Sequence, residues 1–181
     1  MSDANRLPGD PTMRQIVERA IRVDHAGEYG AKRIYQGQLA VLGRGDKGEV
    51  LRHMAAQEQA HLDRFAALIA SRRVRPTALL PLWHLAGFAL GAATAALGER
   101  AAMACTVAVE EAIDAHYARQ SAELGEDEAP LRDTIEAFRA EELEHRDIGL
   151  AHGAEQAPGY RLLSAAIKAG CRLAIAASER I

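Results

Sequence analysis

Apolar residues recur every three or four positions along most of the chain, which is the spacing of one helix face. The pattern predicts six helical segments, at about 11–42, 46–71, 76–98, 99–124, 130–152 and 158–181. Asp10 and Pro11 are expected to be the N-cap and first residue of the first helix. No stretch alternates as a strand does, and no long linker divides the chain. We therefore predict an all-α single domain over residues 1–181, with a flexible N-terminus at residues 1–10.

A glutamate interrupts the apolar face of each of the four long helices. These residues are Glu28, Glu58, Glu110 and Glu142, and two of them are followed three positions later by a histidine, His61 and His145. The two glutamates of the first half are 30 residues apart and those of the second half are 32 apart. The order Glu, then Glu-x-x-His, thus occurs twice. This near-repeat predicts two helix pairs related by a pseudo-twofold axis.

Four carboxylates that face one core require compensation, because an unpaired buried charge costs several kcal/mol. Two divalent cations would supply it. One glutamate on each of two helices and Glu-x-x-His on each of the other two is the ligand set of ferritin-like di-iron and di-manganese bundles. Carboxylates and imidazoles suit iron or manganese, and the lack of thiolates argues against structural zinc. The alternative is a helical bundle with a few buried, hydrogen-bonded carboxylates and no metal.

Several other polar residues lie close to these positions in the helical pattern. Tyr117 follows Glu110 by seven residues on the same face and could contact substrate or relay an electron, or be an ordinary core tyrosine. Glu141 could hydrogen-bond a ligand histidine or lie on a solvated face. Weaker candidates are Asp24, Asp114 and His116, whereas His25, His53, His84 and His152 are expected to be structural or surface residues.

Composition narrows the class of protein. Hydrophobic residues make up 49% of the chain and aromatic residues 4%, so the core must be aliphatic, as suits packed helices. The net charge of −3 does not indicate a nucleic-acid partner. Cys105 and Cys171 have no metal-binding or disulfide spacing, which indicates a reducing compartment. The N-terminal residues MSDANRLPGDP do not form a secretory or transit signal.

Longer motifs around these residues resemble a known family. They read VDHAGEYGA around Glu28, VRPTALLPLWHLAGFALGAATAALG at 74–98, AMACTVAVEEAI around Glu110, EELEHRDIGL around Glu142, and AGCRLAIAASER near the C-terminus. Together they resemble the demethoxyubiquinone hydroxylases of ubiquinone biosynthesis, over nearly the whole chain from about Gln15. The resemblance implies a ferritin-like four-helix bundle core with additional hydrophobic and C-terminal helices.

The resemblance also implies an activity, which is hydroxylation of the ring of a polyprenylated demethoxyubiquinol with O2 by a di-iron monooxygenase. The ligands of the two irons would be Glu28, Glu58, His61, Glu110, Glu142 and His145, with Glu110 and Glu142 as the candidates for bridging both ions. The family implies NADH as the electron donor. The implied partners are the prenylated quinol, a membrane surface and a lipid-binding protein of the ubiquinone pathway, and a homo-oligomer stays open.

The apolar segment 76–98 carries no formal charge apart from a protonated His84. We expect Pro81 to start its helix, leaving about 17 helical residues, which is short for a bilayer crossing. A crossing would also divide the proposed ligands between the two sides of the membrane. We therefore expect an interfacial helix, with Trp83 and Phe88 toward lipid and Arg72, Arg73 and Arg75 near headgroups. The alternative is a crossover helix packed wholly inside the bundle.

This interpretation predicts a peripheral membrane protein on the cytoplasmic face of a bacterial membrane, or on the matrix side of the mitochondrial inner membrane in a eukaryote. Two other functions compete with it. A ferritin-type iron-binding or storage protein would share the ligands but would not need the apolar segment. A non-catalytic helical interaction module would bind no metal. Metal analysis separates the last from the other two.

Overall fold

The computed structural model describes residues 7, 9–44 and 46–181 and contains six α-helices. The helices are α1 (Met13–Leu42), α2 (Asp46–Arg72), α3 (Leu80–Ala96), α4 (Glu99–Glu123), α5 (Ala129–Ala151) and α6 (Tyr160–Ser178), with short 3-10 turns at Glu126–Glu128 and Ala154–Gln156. No strand occurs in this part of the chain, and the predicted all-α fold is confirmed. Of the N-terminal segment expected to be flexible, residues 1–6 and 8 lie outside the described residues.

The first helix begins two residues later than predicted. Thr12, not Asp10, is its N-cap, because the Thr12 hydroxyl accepts a bond from the Gln15 amide at 3.3 Å. The Gln15 side chain accepts in return from the Thr12 amide at 2.8 Å, which completes a capping box. The Asp10 carboxylate instead accepts from the amide of Leu7 at 2.9 Å.

Two helical hairpins form the core of the bundle, with α1 packed on α2 and α4 packed on α5. The additional helices lie outside this core, α3 against α1 and α6 against α4. One apolar cluster at an end of the bundle includes Ile21, Phe65 and Ile135. A second cluster at the other end includes Leu51 and Met103. In every core helix the predicted ligand positions fall between these two apolar layers, so the packing shields them from water at both ends.

Glycines bring α3 unusually close to α1. A Cβ at Gly87 would lie 2.8 Å from the carbonyl oxygen of Gly30, and a Cβ at Gly91 would overlap the carbonyl oxygen of Ile34. The helix has Pro81 in its first turn and spans 17 residues, as predicted. Gly98, with φ 111°, then turns the chain sharply into α4. The small residues therefore fix α3 as a helix parallel to α1 and in backbone contact with it.

The outward face of α3 is apolar, and leucines are its most exposed large side chains. Trp83 is half-buried and its indole N–H donates to Ser178 at 3.1 Å, while Phe88 is half-buried under the Arg33 guanidinium. Both aromatics are partly exposed, and their orientation toward lipid stays a prediction. Leu82 and Leu85 are exposed as well, at 52% and 70%.

These exposed leucines also exclude the alternative of a crossover helix packed wholly inside the bundle. Nearby, the Arg72 guanidinium is paired with both carboxylate oxygens of Glu128, so it is not a free surface cation. Within the described residues, no helix combines the length and apolar character that a membrane crossing requires.

Candidate metal centre

All six predicted ligands meet in the middle of the bundle. They come from four helices, Glu28 from α1, Glu58 and His61 from α2, Glu110 from α4, and Glu142 and His145 from α5. None is more than 1% exposed. The helical steps of three and four residues that carry the apolar stripes also carry these side chains, so each helix points its ligands at the same interior region.

The side chains form two overlapping groups that could each hold a metal ion. One contains Glu28, Glu58, His61 and Glu142, and the other contains Glu58, Glu110, Glu142 and His145, with the donor atoms of each group within 4.8 Å of one another. The groups share Glu58 and Glu142. Glu142 belongs to both groups and Glu110 to the second group only, and which carboxylates bridge two ions stays a prediction. The shared residues are the two glutamates of the Glu-x-x-His motifs.

Glu142 illustrates this sharing. Its Oε1 lies 3.2 Å from Nδ1 of His61, and its Oε2 lies 3.2 Å from Nδ1 of His145. Glu28 Oε2 approaches the same His61 nitrogen at 3.5 Å, and Glu58 Oε1 approaches the His145 nitrogen at 3.3 Å. Both histidines thus direct Nδ1 toward the carboxylates.

Eight buried carboxylate oxygens and imidazole nitrogens in this region make no hydrogen bond of good geometry, although six of them lie 3.2–3.5 Å from one another. They are both carboxylate oxygens of Glu58 and of Glu142, Oε2 of Glu28 and of Glu110, and Nδ1 of His61 and of His145. Buried polar atoms are nearly always satisfied in proteins, so such a concentration demands an explanation. Oxygen and imidazole donors without thiolates fit two ions of iron or manganese.

The electrostatics of the protein alone show how much charge is concentrated here. Burial raises the pKa of Glu28, and it raises the pKa values of Glu58 and Glu110 well above the ordinary value, with the charge of Glu142 acting in the same direction. Burial would raise the pKa of Glu142 too, but contacts with His145 and His61 lower it to about 2. Burial would lower the pKa of His61, yet Glu142 and Glu28 raise it to about 11. Protons therefore hold the site together without metal, and cations would compete with them.

Two tyrosines hydrogen-bond the two carboxylates, Glu28 and Glu110, that each belong to only one of the metal groups. Tyr117 on α4 donates its hydroxyl to Glu28 on α1, while Tyr35 on α1 donates to Glu110 on α4 at 2.9 Å. Burial raises the pKa of both phenols well above the ordinary value, so both stay protonated donors. Tyr117 was a candidate from the sequence. Tyr35 was missed, although it follows Glu28 by seven residues just as Tyr117 follows Glu110.

The outer nitrogens of the two histidines are also occupied. Nε2 of His61 lies 3.1 Å from Oε2 of Glu141, which confirms the predicted contact of Glu141 with a ligand histidine. Nε2 of His145 lies 3.0 Å from Oε1 of Gln57. Sequence analysis did not identify Gln57, although it precedes the first Glu-x-x-His motif just as Glu141 precedes the second. These contacts leave Nδ1 of each ring free to bind a cation.

The weaker candidates lie outside this centre. Asp24 and His116 are buried together, with 3.4 Å between Oδ1 and Nε2, one helical turn from Glu28 on α1. Asp114 forms an ion pair with Arg139 at 2.6 Å. His84 bonds the Tyr29 hydroxyl at 2.7 Å, which agrees with a structural role.

Comparison with known proteins agrees with this geometry. Residues 15–178 match the family described as Ubiquinone biosynthesis protein COQ7. A protein of Rhodospirillum rubrum named 3-demethoxyubiquinol 3-hydroxylase is 65% identical over 98% of this chain and 84% of its own length. The human protein named NADPH-dependent 3-demethoxyubiquinone 3-hydroxylase, mitochondrial, is 56% identical over 95% of this chain and 81% of its own. A Saccharomyces cerevisiae protein named 5-demethoxyubiquinone hydroxylase, mitochondrial, is 42% identical over 92% and 78%. The chain belongs to the COQ7 family of ubiquinone biosynthesis proteins.

Proposed function

We propose that this chain is a di-iron monooxygenase that hydroxylates the ring of a polyprenylated demethoxyubiquinol with O2. The observation that carries the proposal is the set of eight buried oxygen and nitrogen atoms without hydrogen bonds of good geometry, arranged as two groups inside the bundle. The names of the relatives, which are hydroxylases of demethoxyubiquinol or demethoxyubiquinone, support the reaction. These names favour the hydroxylase over a ferritin-type iron-storage protein. Such a protein would share the ligand set but would have no organic substrate.

The proposed ligands of the two irons are Glu28, Glu58, His61, Glu110, Glu142 and His145. Glu28, Glu58, His61 and Glu142 would hold one ion, and Glu58, Glu110, Glu142 and His145 would hold the other. When bound, the iron pair supplies O2 activation, with one oxygen atom delivered to the ring and the other released as water. The protein binds the ions, keeps bulk water away through the two apolar layers, and holds Glu28 and Glu110 in place through Tyr117 and Tyr35.

The reaction also needs two electrons and two protons per O2, and we propose a reduced nicotinamide as their source. The family resemblance of the sequence suggests NADH, whereas the name of the human relative specifies NADPH. Turnover of one substrate preparation with each nicotinamide in turn distinguishes the two donors.

The proposed route for the prenylated ring lies between α3 and α6. An apolar cluster there includes Ile34, Cys105, Val109 and Ile167, with Leu90 packed against it. Val109 of this cluster directly precedes Glu110 on α4, so the cluster adjoins the second metal group. An apolar region of this kind suits a polyprenyl chain, because it offers no polar partner that must be desolvated.

The proposed membrane-docking surface consists of the exposed faces of α3 and α6, here called the α3–α6 surface. It carries Leu82, Leu85, Leu162 and Leu173, which are between 52% and 78% exposed. The two helices meet where Trp83 bonds Ser178. Exposed Arg161 and Arg172 lie beside the leucines of α6, as in helices that rest on anionic lipid.

We propose that the protein acts as a peripheral protein at the cytoplasmic face of a bacterial membrane, or at the matrix side of the mitochondrial inner membrane in a eukaryote. The mitochondrial names of the human and yeast relatives support the second setting for those proteins. A lipid-binding protein of the ubiquinone pathway and further copies of the chain are proposed partners.

Complementation tests the activity. Bacterial cells that lack their own demethoxyubiquinone hydroxylase should accumulate demethoxyubiquinone, and the wild-type gene should restore ubiquinone. A Glu142→Ala gene should not restore it, because one carboxylate shared by both metal groups is lost. A Glu144→Ala gene is the control, since Glu144 is exposed on the same helix. Restoration by Glu142→Ala, or none by the wild type at normal protein level, would contradict the proposal.

A further inference from the structure

The contacts around one metal group repeat around the other, as the predicted pseudo-twofold relation requires. Glu28 accepts from Tyr117 and Glu110 accepts from Tyr35, and each tyrosine follows the glutamate of its own helix by seven residues. The outer nitrogens of the histidines repeat as well. Nε2 of His61 on α2 contacts Glu141, which precedes the motif of α5. Nε2 of His145 on α5 contacts Gln57, which precedes the motif of α2.

The residues that contact the outer histidine nitrogens differ in charge between the two metal groups. His61 faces a carboxylate, Glu141, whereas His145 faces a neutral amide, Gln57. A carboxylate acceptor strengthens the hydrogen bond from an imidazole N–H and makes the opposite ring nitrogen a better metal donor than an amide acceptor does. The two metal groups therefore have matching inner donors but unequal support behind their histidines.

Gln57 and Glu141, which differ in charge, also hydrogen-bond each other. Nε2 of Gln57 donates to Oε2 of Glu141 at 3.2 Å, and the same oxygen is the partner of His61. The remaining amide atom, Oε1, accepts from His145 at 3.0 Å. The amide therefore has one satisfied orientation, because flipping it would oppose like partners on both sides. A continuous chain of hydrogen bonds, His145 to Gln57 to Glu141 to His61, joins the two rings along one edge of the centre.

We propose that Gln57 and Glu141 are positioning residues that lock Nδ1 of both histidines toward the metals and make the two metal positions unequal. The inference rests on the proposed di-iron function. An ion held by Glu28 and His61 would be bound more tightly than an ion held by Glu110 and His145. Glu141 is 40% exposed, so this polar link lies at the edge of the bundle, where isosteric variants leave the core intact.

Anaerobic titration of the metal-free full chain with ferrous iron tests the proposal. Wild-type protein should bind two ions in two steps, and Mössbauer spectra at one equivalent should be dominated by a single ferrous doublet. Glu141→Gln should weaken the tighter step by about 10-fold or more, the range typical of such outer partners. In the Glu141→Gln variant, one equivalent of ferrous iron should give both Mössbauer doublets, because the two metal positions are then more nearly equal in affinity. Gln57→Leu should weaken mainly the second step.

Gln59→Leu is the matched control. It removes the same side chain from the same helix, but Gln59 bonds Asp63 at 2.6 Å and no ligand histidine. Both steps should stay as in the wild type. Two equal steps in the wild-type protein, or a Gln57→Leu titration identical to that of Gln59→Leu, would overturn the proposal while leaving the di-iron function standing. A wild-type chain that binds no iron would overturn both.

Discussion

The hydroxyl groups of Tyr35 and Tyr117 matter because each satisfies one oxygen of a fully buried carboxylate. If the hydroxyl of Tyr35 or Tyr117 were removed, Glu110 or Glu28 would lose its phenol donor. Among the described partners, a histidine or another carboxyl group would be the remaining donor. An unsatisfied buried acceptor costs more than the net value of the bond that is lost.

Replacing either tyrosine by phenylalanine should therefore destabilise the metal-free protein by about 1–3 kcal/mol. Equilibrium urea unfolding measures the loss. Tyr160→Phe is the control, because Tyr160 lies at the start of α6 and is only half-buried, and its effect should be small. Equal stability of Tyr35→Phe, Tyr117→Phe and the wild type would show that the carboxylates do not need these donors.

Sequence reasoning identified all six central residues because charge on an apolar helix face is conspicuous. It missed Tyr35 and Gln57 for a physical reason. A tyrosine on an apolar face and a glutamine beside it violate no pattern, so nothing sets them apart until the partner helix is known. The internal repeat did contain the signal, since both residues occupy positions equivalent to Tyr117 and Glu141. The shared role of Glu58 depends on how the hairpins approach each other, which spacing along one helix does not determine.

At the scale of whole elements, the contact between α1 and α3 depends on glycine. Gly91 places α3 so close to α1 that a methyl group there would overlap the Ile34 carbonyl oxygen, and Gly37 is similarly placed against Phe88. Both conflicts involve backbone atoms, which cannot rotate away as a side chain can.

Gly91→Ala should therefore destabilise the protein by about 1–3 kcal/mol, the usual range for overpacking. Gly170→Ala provides a control of opposite sign, because Gly170 lies within α6 with nothing near its missing Cβ. That substitution should stabilise the protein by up to about 1 kcal/mol through helix propensity. Thermal unfolding of both variants measures the difference, and a stabilising Gly91→Ala would refute the close packing of α3.

The helix boundaries were predictable to within a few residues from glycine, proline and the apolar period. The orientation of α3 was less predictable, because a segment with apolar residues on every side gives no preferred face. The glycine contacts with α1 decide its rotation. They leave Trp83 and Phe88 partly buried and turn Leu82 and Leu85 outward.

On the scale of the whole molecule, the α3–α6 surface places exposed leucines on the side of the bundle that carries the apolar cluster beside Glu110. Arginines flank the leucines of α6. We expect this surface to bring the metal centre and a lipid-dissolved quinol together.

Wild-type protein should therefore float with quinone-containing liposomes that include anionic lipid, and Leu82→Ser/Leu85→Ser should remain largely in solution. The reason is the loss of apolar area that lipid would bury. The control Val41→Ser/Leu150→Ser removes exposed apolar side chains from α1 and α5, the helices that do not form this surface, and should still float. Equal flotation of all three proteins would exclude the α3–α6 surface as the docking site.

The central claim is that the bundle holds two iron ions through four glutamates and two histidines, and counting iron tests it most directly. Purified protein loaded anaerobically with ferrous iron and freed of excess should contain about two irons per chain. His61→Ala and His145→Ala should each retain markedly less iron and should not hydroxylate demethoxyubiquinol, since each loses the nitrogen donor of one group. An iron-free wild-type protein that still hydroxylates, or a His61→Ala/His145→Ala protein with full iron and full activity, would contradict the account.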